Sequence, residues 1–331
     1  MEGPSQRLLR LGFGFAVSQA IRVVAELKIP DLMSGGERTI DDLAAATGSH
    51  AGALYRVMRL LAAEGVFSEV SPGRFALTDV GGALRSDTPA GPRNFLRMIN
   101  SEAYLAFGRL RDSVRTGEPV FEAAFGKPRF DWLADHPDEA ALFQQAMVSL
   151  GAGANEAVAE AYDFGGHSHV VDVGGGHGQL LSAILARHPN LTGALFDREA
   201  GIASASVGAS DGAARTKLIA GDFFDTVPAG ADVYVLKKVV HDWDDDRAAR
   251  ILKNCRSAMS PNGKVLIAET LVPPGDNPDA IKFIDVTMLA ITGGKERTEE
   301  EYRRLLAKAG LRLDRVLPTK APISVLEASP N

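Results

Sequence analysis

The sequence predicts an α/β protein: a doubly wound, mostly parallel sheet in the C-terminal half, preceded by a smaller, largely helical domain. Three observations carry this. From residue 168 onward, short apolar runs rich in β-branched residues alternate with segments of helical periodicity. The first of those runs breaks at a glycine-rich turn, His169-Val-Val-Asp-Val-Gly-Gly-Gly-His-Gly178, and a helical pattern follows from Gln179 to Arg187. Before residue 78 the order differs: three helical patterns, then two short strands.

Taken in order, residues 13–33 place Val17, Ala20, Ile21, Val24 and Leu27 on one face of a helix expected to close at Pro30. Thr39-Ile-Asp-Asp42 reads as a capping-box-like start for a short helix through Ala46, stopped by Gly48. Ser49 is expected to open a longer helix that turns Leu54, Val57, Met58, Leu60 and Leu61 inward and ends at Gly65. Residues 66–70 and 74–77 read as strands joined by the turn Ser71-Pro-Gly-Arg74. Three helices and a hairpin give residues 1–88 a winged-helix pattern. Such a pattern invites a DNA-binding reading, but charge argues against it. Residues 1–88 carry nine basic and ten acidic side chains, and the would-be recognition helix offers only Arg56 and Arg59. Phosphate contacts need a basic surface, so protein–protein packing is the expected use.

Residues 89–165 are expected to form a helical connector that starts at Pro89, Gly91 and Pro92. One helix is expected over 95–114, a loop at 117–121, a helical segment from Phe130, and an amphipathic helix over 140–150 that contains Met147. A methionine on an apolar helix face is more often core than a ligand contact. The third domain, 166–331, has candidate strands at 168–173, 191–196, 216–220, 232–238, 263–269, 311–317 and 321–327. The last two lie too close for a crossover helix, so an antiparallel hairpin is expected. Residues 203–214, rich in Ala, Ser and Gly, read as a frayed helix end and a surface loop.

Composition narrows the class. At 331 residues the chain is long enough for two domains, and 45% hydrophobic with 24% charged residues is ordinary for a globular protein. A net charge of −6 gives no general attraction to nucleic acid or an anionic membrane. No apolar run approaches the ~18 residues of a membrane span, and the N-terminus lacks the features of a signal peptide. The single cysteine, Cys255, can form no intrachain disulfide, which suits a reducing, cytoplasmic setting.

The glycine turn is where an open α/β sheet binds its ligand. Its spacing is G-x-G-x-G at Gly174, Gly176 and Gly178, not the G-x-G-x-x-G of dinucleotide sites. Asp172 lies just before it; a carboxylate there repels a pyrophosphate and attracts an ammonium. Asp197 ends the next apolar run, where a carboxylate takes ribose hydroxyls. A nucleoside that carries an amino acid and no phosphates fits both acids, and S-adenosylmethionine (SAM) is such a molecule. Gly221-Asp222-Phe223-Phe224 follows the third strand: Asp222 fits either an adenine amino group or an ordinary loop turn, and Phe223 either the base or the core. His241 lies beyond the fourth strand and Glu269 ends the fifth, both at strand ends that face a ligand crevice; a buried Glu269 needs a partner. Glu296 precedes a helix, where it could equally be a solvated charge. Asp244–Asp246 is read as a helix start rather than a metal cluster, and His167 and His169 lack a third ligand nearby. No metal site is expected.

Asp172-Val-Gly-Gly-Gly-His-Gly178, Gly221-Asp-Phe-Phe224, His241-Asp-Trp243 and Gly293-Gly-Lys-Glu-Arg-Thr298, in this order after a winged-helix start, resemble the caffeic acid/acetylserotonin type of small-molecule O-methyltransferases. The resemblance covers nearly the whole chain. It implies a Rossmann-like SAM-binding domain and an N-terminal domain that makes a homodimer. It implies methyl transfer from SAM to a hydroxyl of a small aromatic or secondary-metabolite acceptor, with S-adenosylhomocysteine as product. On this basis His241 matches the catalytic base and Glu269 and Glu296 the acids beside it. Gly174, Asp197, Asp222, Phe223 and Lys237 match SAM contacts, and Met147 and Met288 match methionines of the acceptor pocket. Arg198-Glu199 departs from the apolar residue and proline that usually follow the Asp197 position, so that loop is expected to differ. Two other classes stay open: a relative that keeps SAM but hydroxylates or decarboxylates, and a winged-helix regulator. The intact His241, Glu269 and Glu296 set and the acidic N-terminal balance argue against each in turn.

Overall fold

The structure is a computed structural model that describes residues 3–151, 153–203, 205–206 and 213–331; most of the Ala-, Ser- and Gly-rich stretch at 203–214 lies outside them. The chain divides into two compact units, residues 1–108 with 130–152, and 109–129 with 153–331.

In the first unit the helices Gly14–Glu26, Ile40–Thr47 and Ala51–Ala63 enclose a core of Val24, Ile29, Leu43, Leu54, Met58, Leu61, Phe67 and Phe75. Strand β1 (Arg38–Thr39) joins β2 (Phe67–Ser71) and β3 (Arg74–Leu77) in a three-stranded antiparallel sheet of order β1-β3-β2. Two residues are too few to show periodicity, so β1 is invisible in the pattern. Three expected helices are corrected. The first ends at Glu26, because Lys28 takes a left-handed φ of 55°; Pro30 instead sits in the first turn of the short helix Ile29–Leu32. That is where a missing N–H does no harm. The second opening is made by His50, whose ring nitrogen accepts from Ala53 N at 3.2 Å, and not by Ser49. The expected single helix over 95–114 is three: Arg93–Ile99 and Glu102–Phe107 in this unit, and Leu110–Thr116 in the second. At the first break the Asn100 side chain donates back to the Leu96 carbonyl at 2.8 Å, offering the backbone an alternative to the helix. At the second, Gly108 is a weak helix former. Met147 is half-buried on the helix Pro137–Gly151.

In the second unit β4 (His169–Val173), β5 (Thr192–Asp197), β6 (Thr216–Ala220), β7 (Val233–Lys237) and β8 (Lys264–Glu269) run parallel. The hairpin β9 (Leu311–Pro318) and β10 (Ser324–Pro330) completes a seven-stranded sheet of order β6-β5-β4-β7-β8-β10-β9, with β10 antiparallel to both β8 and β9. Six of the strands agree with the expected runs to within one residue at each end; β10 begins and ends three residues later than the expected 321–327. Side chains alternate across the sheet with a period of two. Val171, Val173, Tyr234, Leu236, Val265 and Ile267 pack one face with the helices Asp245–Ala258 and Glu299–Lys308. Val170, Leu195, Val233, Val235 and Leu266 pack the other with Gln179–Arg187. Cys255 is a buried thiol within the first face, and burial pushes its pKa up to about 12. Strand order reverses at β4, where β5 lies on one side and β7 on the other. The crevice of such a sheet opens at the C-terminal ends of those strands, and this places the site.

Among the described residues no single helix is long and apolar enough to cross a membrane.

Candidate active site

The turn after β4 is built around Asp172. Its carboxyl is 1% exposed, and among the described residues neither oxygen has a well-formed hydrogen bond. Burial lifts its pKa to about 7, against the partial relief of the Lys237 charge and the Leu181 N–H. Burial likewise lowers the pKa of Lys237 at the end of β7, opposed by Asp172. A side chain at Gly175 would put its Cβ 2.5 Å from the Asp172 carboxylate, and one at Gly174, whose φ is +70°, would meet Val239 at 2.8 Å. Glycine is thus required for space as well as for conformation. The next turn is closed by Asp197, whose Oδ2 accepts from Gly176 N at 2.7 Å and whose Oδ1 accepts from Arg198 N at 2.7 Å. Burial raises the Asp197 pKa. The loop after it enters the helix Glu199–Ala203 directly. Asp222 Oδ1 accepts from Phe224 N at 2.8 Å, and the Phe223 ring lies 3.6 Å from where a Gly174 Cβ would sit. Asp172, Gly174, Gly176, Asp197, Phe223 and Lys237 are therefore held around one turn system, with Asp222 beside it. An orphaned buried carboxylate and an apolar ring beside a side-chain-free turn fit a ligand with an ammonium end and a flat base.

The second cluster gathers on residues separated widely in sequence. After β7 the backbone reverses through Lys238, φ 55°, into a short 3-10 turn at Val240–Asp242 that presents His241. Its Nδ1 lies 2.6 Å from Glu296 Oε1, a charge-assisted hydrogen bond. Glu269, at the end of β8, accepts from the His241 backbone N–H through Oε1 at 3.3 Å and meets Lys238 Nζ through Oε2 at 3.4 Å. The partner that a buried Glu269 demands is thus Lys238. Glu296 is 1% exposed, so it is no solvated helix-start charge; Thr298 caps that helix instead, with Glu301 completing a capping box. Single ligand atoms of His241, Glu269 and Glu296 lie within 4.8 Å of one another.

Sequence reasoning missed a third acid. Asp242 Oδ1 lies 3.8 Å from His241 Nε2, and burial raises its pKa, against the charges of His241 and Arg129. The signal was its place in the His-Asp-Trp motif, directly beside the expected base. For His241, burial alone would lower the pKa. Glu269, Asp242 and the Glu296 hydrogen bond outweigh burial and the Lys238 charge, and lift it to about 9. The same contact holds Glu296 below its usual value in spite of burial. Met288 is buried on the helix Ile281–Ile291 of this unit, while Met147 belongs to the first unit. Asp244 caps Asp245–Ala258, accepting from Asp246 and Arg247 N, as its sequence position implied; that helix runs on past Leu252 to Ala258. His167 and His169 bond Tyr162 and Thr192.

Comparison with known proteins agrees with this geometry. Residues 107–312 match the O-methyltransferase domain and residues 9–87 the O-methyltransferase dimerisation domain. The phenazine O-methyltransferase PhzM of Lysobacter antibioticus is 42% identical over 98% of this chain and 96% of its own length. The solved structure of NcsB1, an O-methyltransferase from neocarzinostatin biosynthesis in complex with SAM and 2-hydroxy-5-methyl naphthoic acid, is 36% identical with a TM-score of 0.85 over 96% of each chain. Human N-acetylserotonin methyltransferase in complex with SAM is 26% identical with a TM-score of 0.86 over 100% of this chain and 99% of that one. Sheet, glycine turn, histidine–glutamate pair and sequence match together place the chain in the family of SAM-dependent small-molecule O-methyltransferases with an N-terminal dimerisation domain.

Proposed function

We propose that the protein methylates a phenolic hydroxyl of a small aromatic acceptor, with His241 as general base. One observation supports this most: an imidazole only 12% exposed is bonded through Nδ1 to Glu296, while its Nε2 stands 3.8 Å from Asp242 Oδ1, beyond hydrogen-bond range. SAM supplies a methyl group made electrophilic by its sulfonium. In this reading Asp197 orients the ribose hydroxyls. Asp222 and Phe223 hold the base, and Asp172 with the Gly174 and Gly176 turn and Lys237 receives the amino-acid end. Met288 lines the acceptor's place. Acceptors such as the naphthoate and phenazine of the relatives suit an apolar lining.

The chemistry turns on proton affinity. A phenol has a pKa of about 10 and a free imidazolium about 6.5, so full transfer in water is uphill by roughly 5 kcal/mol. Lifting His241 to about 9 cuts the gap to about one unit, roughly 1.4 kcal/mol. Glu296 fixes the Nδ1–H tautomer and leaves Nε2 to take the acceptor's proton.

Trideuteromethyl-labelled SAM and a panel of phenols, naphthols and hydroxyphenazines should give a labelled methyl ether and one S-adenosylhomocysteine per product, unaffected by EDTA. Loss of turnover in EDTA with recovery in Mg²⁺ would contradict the histidine mechanism. Product without transferred label would favour the hydroxylating or decarboxylating alternative.

The pH dependence has a definite sign. A raised pKa keeps His241 protonated, and idle as a base, at neutral pH in the free enzyme. The profile of kcat/KM for SAM, which reports free-enzyme groups, should therefore climb toward about 9. A bound sulfonium is a like charge and disfavours the imidazolium, so the kcat profile should level off at lower pH. Coincident profiles with a midpoint near 6.5 would rule out this charge balance.

We also propose a homodimer built through the N-terminal unit, free of nucleic acid. Leu8, Leu9, Leu11, Phe13 and Phe15 are exposed there, an apolar patch that suits a partner. Sedimentation at micromolar concentration should give a dimer; a monomer, or a salt-sensitive DNA complex, would contradict this.

A further inference from the structure

Arg297 is fully buried, and a guanidinium cannot shed its charge to suit its surroundings. Such a group persists only where its donors are satisfied. Here Nη1 donates to the carbonyls of Val240 at 3.2 Å and Lys295 at 3.0 Å. Nη2 donates to the carbonyl of Trp243 at 2.8 Å, and Nε to Asp245 Oδ1 at 2.9 Å. The Tyr302 ring lies 5.8 Å from the guanidinium carbon. The acceptors are not scattered. Val240 and Trp243 bracket His241, and Lys295 immediately precedes Glu296. The guanidinium thus ties the segment that carries the imidazole to the segment that carries its carboxylate.

The main chain around it is zipped as tightly. Lys295 N donates to the His241 carbonyl at 2.8 Å, and a Cβ on Gly294 would fall 2.1 Å from that same oxygen. Val272 N donates to the Arg297 carbonyl at 3.0 Å, which fastens the segment to the chain leaving β8 just beyond Glu269. The planar fork of arginine reaches three carbonyls and a carboxylate at once; the single ammonium of lysine cannot.

We infer that Arg297 is the positioning residue of this site: it holds His241 and Glu296 in hydrogen-bond contact and touches neither ring nor reactant. The inference deepens the reading of His241 as base and rests on it for its effect on turnover. Its structural content concerns the His241–Glu296 contact alone. The other charges that face His241, those of Glu269, Asp242 and Lys238, come from β8 and from the same turn. Glu269 on β8 and Lys238, whose N–H donates to the Ala268 carbonyl, are anchored apart from the clasp, whereas Asp242 rides with His241 on the clasped turn. The Arg129 charge acts on Asp242.

The test is an imidazole ¹⁵N NMR titration of His241, assigned by its loss in His241→Ala, in full-length wild type, Arg297→Lys and Asp245→Asn. Asp245 is the exposed anchor of the guanidinium, with 55% of its side chain open, so that variant spares the core. Thermal unfolding, S-adenosylhomocysteine affinity by calorimetry and steady-state kinetics run alongside. In Arg297→Lys the His241 titration should move down by about one unit or more as the Glu296 contact lengthens. Its kcat should fall about 10- to 100-fold, a part of the ~10²–10⁴ that a general base supplies. Acceptor KM and S-adenosylhomocysteine affinity should change less than about threefold, since neither depends on the base. Asp245→Asn should shift the titration the same way by less. A folded Arg297→Lys protein whose His241 titrates as in wild type overturns the inference. If Arg297→Lys does not unfold cooperatively, a folded Asp245→Asn protein decides: a wild-type titration overturns the inference, and a downward shift upholds it. A shifted titration with unchanged kcat upholds the positioning role and refutes the base.

Discussion

One buried positive charge, shared between an imidazole and the acids around it, governs the catalytic end of this molecule. Glu269 and Glu296 are removed from water and Asp242 is largely so. Buried carboxylates must be paired or give up their charge. Lys238 serves Glu269, and Arg129 is set toward Asp242, which leaves Glu296 to His241. The acids that crowd this ring therefore make it a stronger base than histidine in water. In the proposed reaction, the need that keeps the cluster neutral is the one that would equip it to take a proton from a weakly acidic hydroxyl.

The fold supplies this arrangement with apolar residues. Valines, leucines and isoleucines alternate across β4, β7 and β8 and fix three strand ends side by side. From those ends come the Asp172 turn, the His241 turn and Glu269. Reactants held in line can be worth about 7–11 kcal/mol. A general base contributes about 10²–10⁴-fold, roughly 3–5.5 kcal/mol. On these magnitudes positioning would outweigh the proposed base, whose precision would depend on how firmly its segment is anchored.

Much of this was legible in the sequence, for identifiable reasons. The central strands β4, β7 and β8 are buried on both faces and read as near-continuous apolar runs, while the edge strands β6 and β9 were found from shorter, alternating patterns. The glycine turn stood out because its glycines break an apolar run, and it lies, as expected, between β4 and the helix Gln179–Arg187. What escaped depends on tertiary contact. Strand β1 exists through pairing with Arg74 and Phe75, which no local pattern announces. The breaks in the helix expected over 95–114 come from a single side chain that competes for a carbonyl and from one glycine. Asp242 and Arg297 stood inside recognised motifs as charges whose burial only the folded chain reveals.

The central claim is that His241 removes the acceptor's proton, and acceptor acidity tests it most directly. Wild type and His241→Ala should be compared at one neutral pH across phenols of falling pKa but similar shape. For a phenol near pKa 10 the variant should lose about 10²–10⁴-fold in kcat. For one already ionised at the assay pH the loss should shrink to less than about tenfold, because no proton remains to be taken. A loss that stays constant across the series, or no loss at all with the least acidic phenol, would contradict the assignment of His241 as the base.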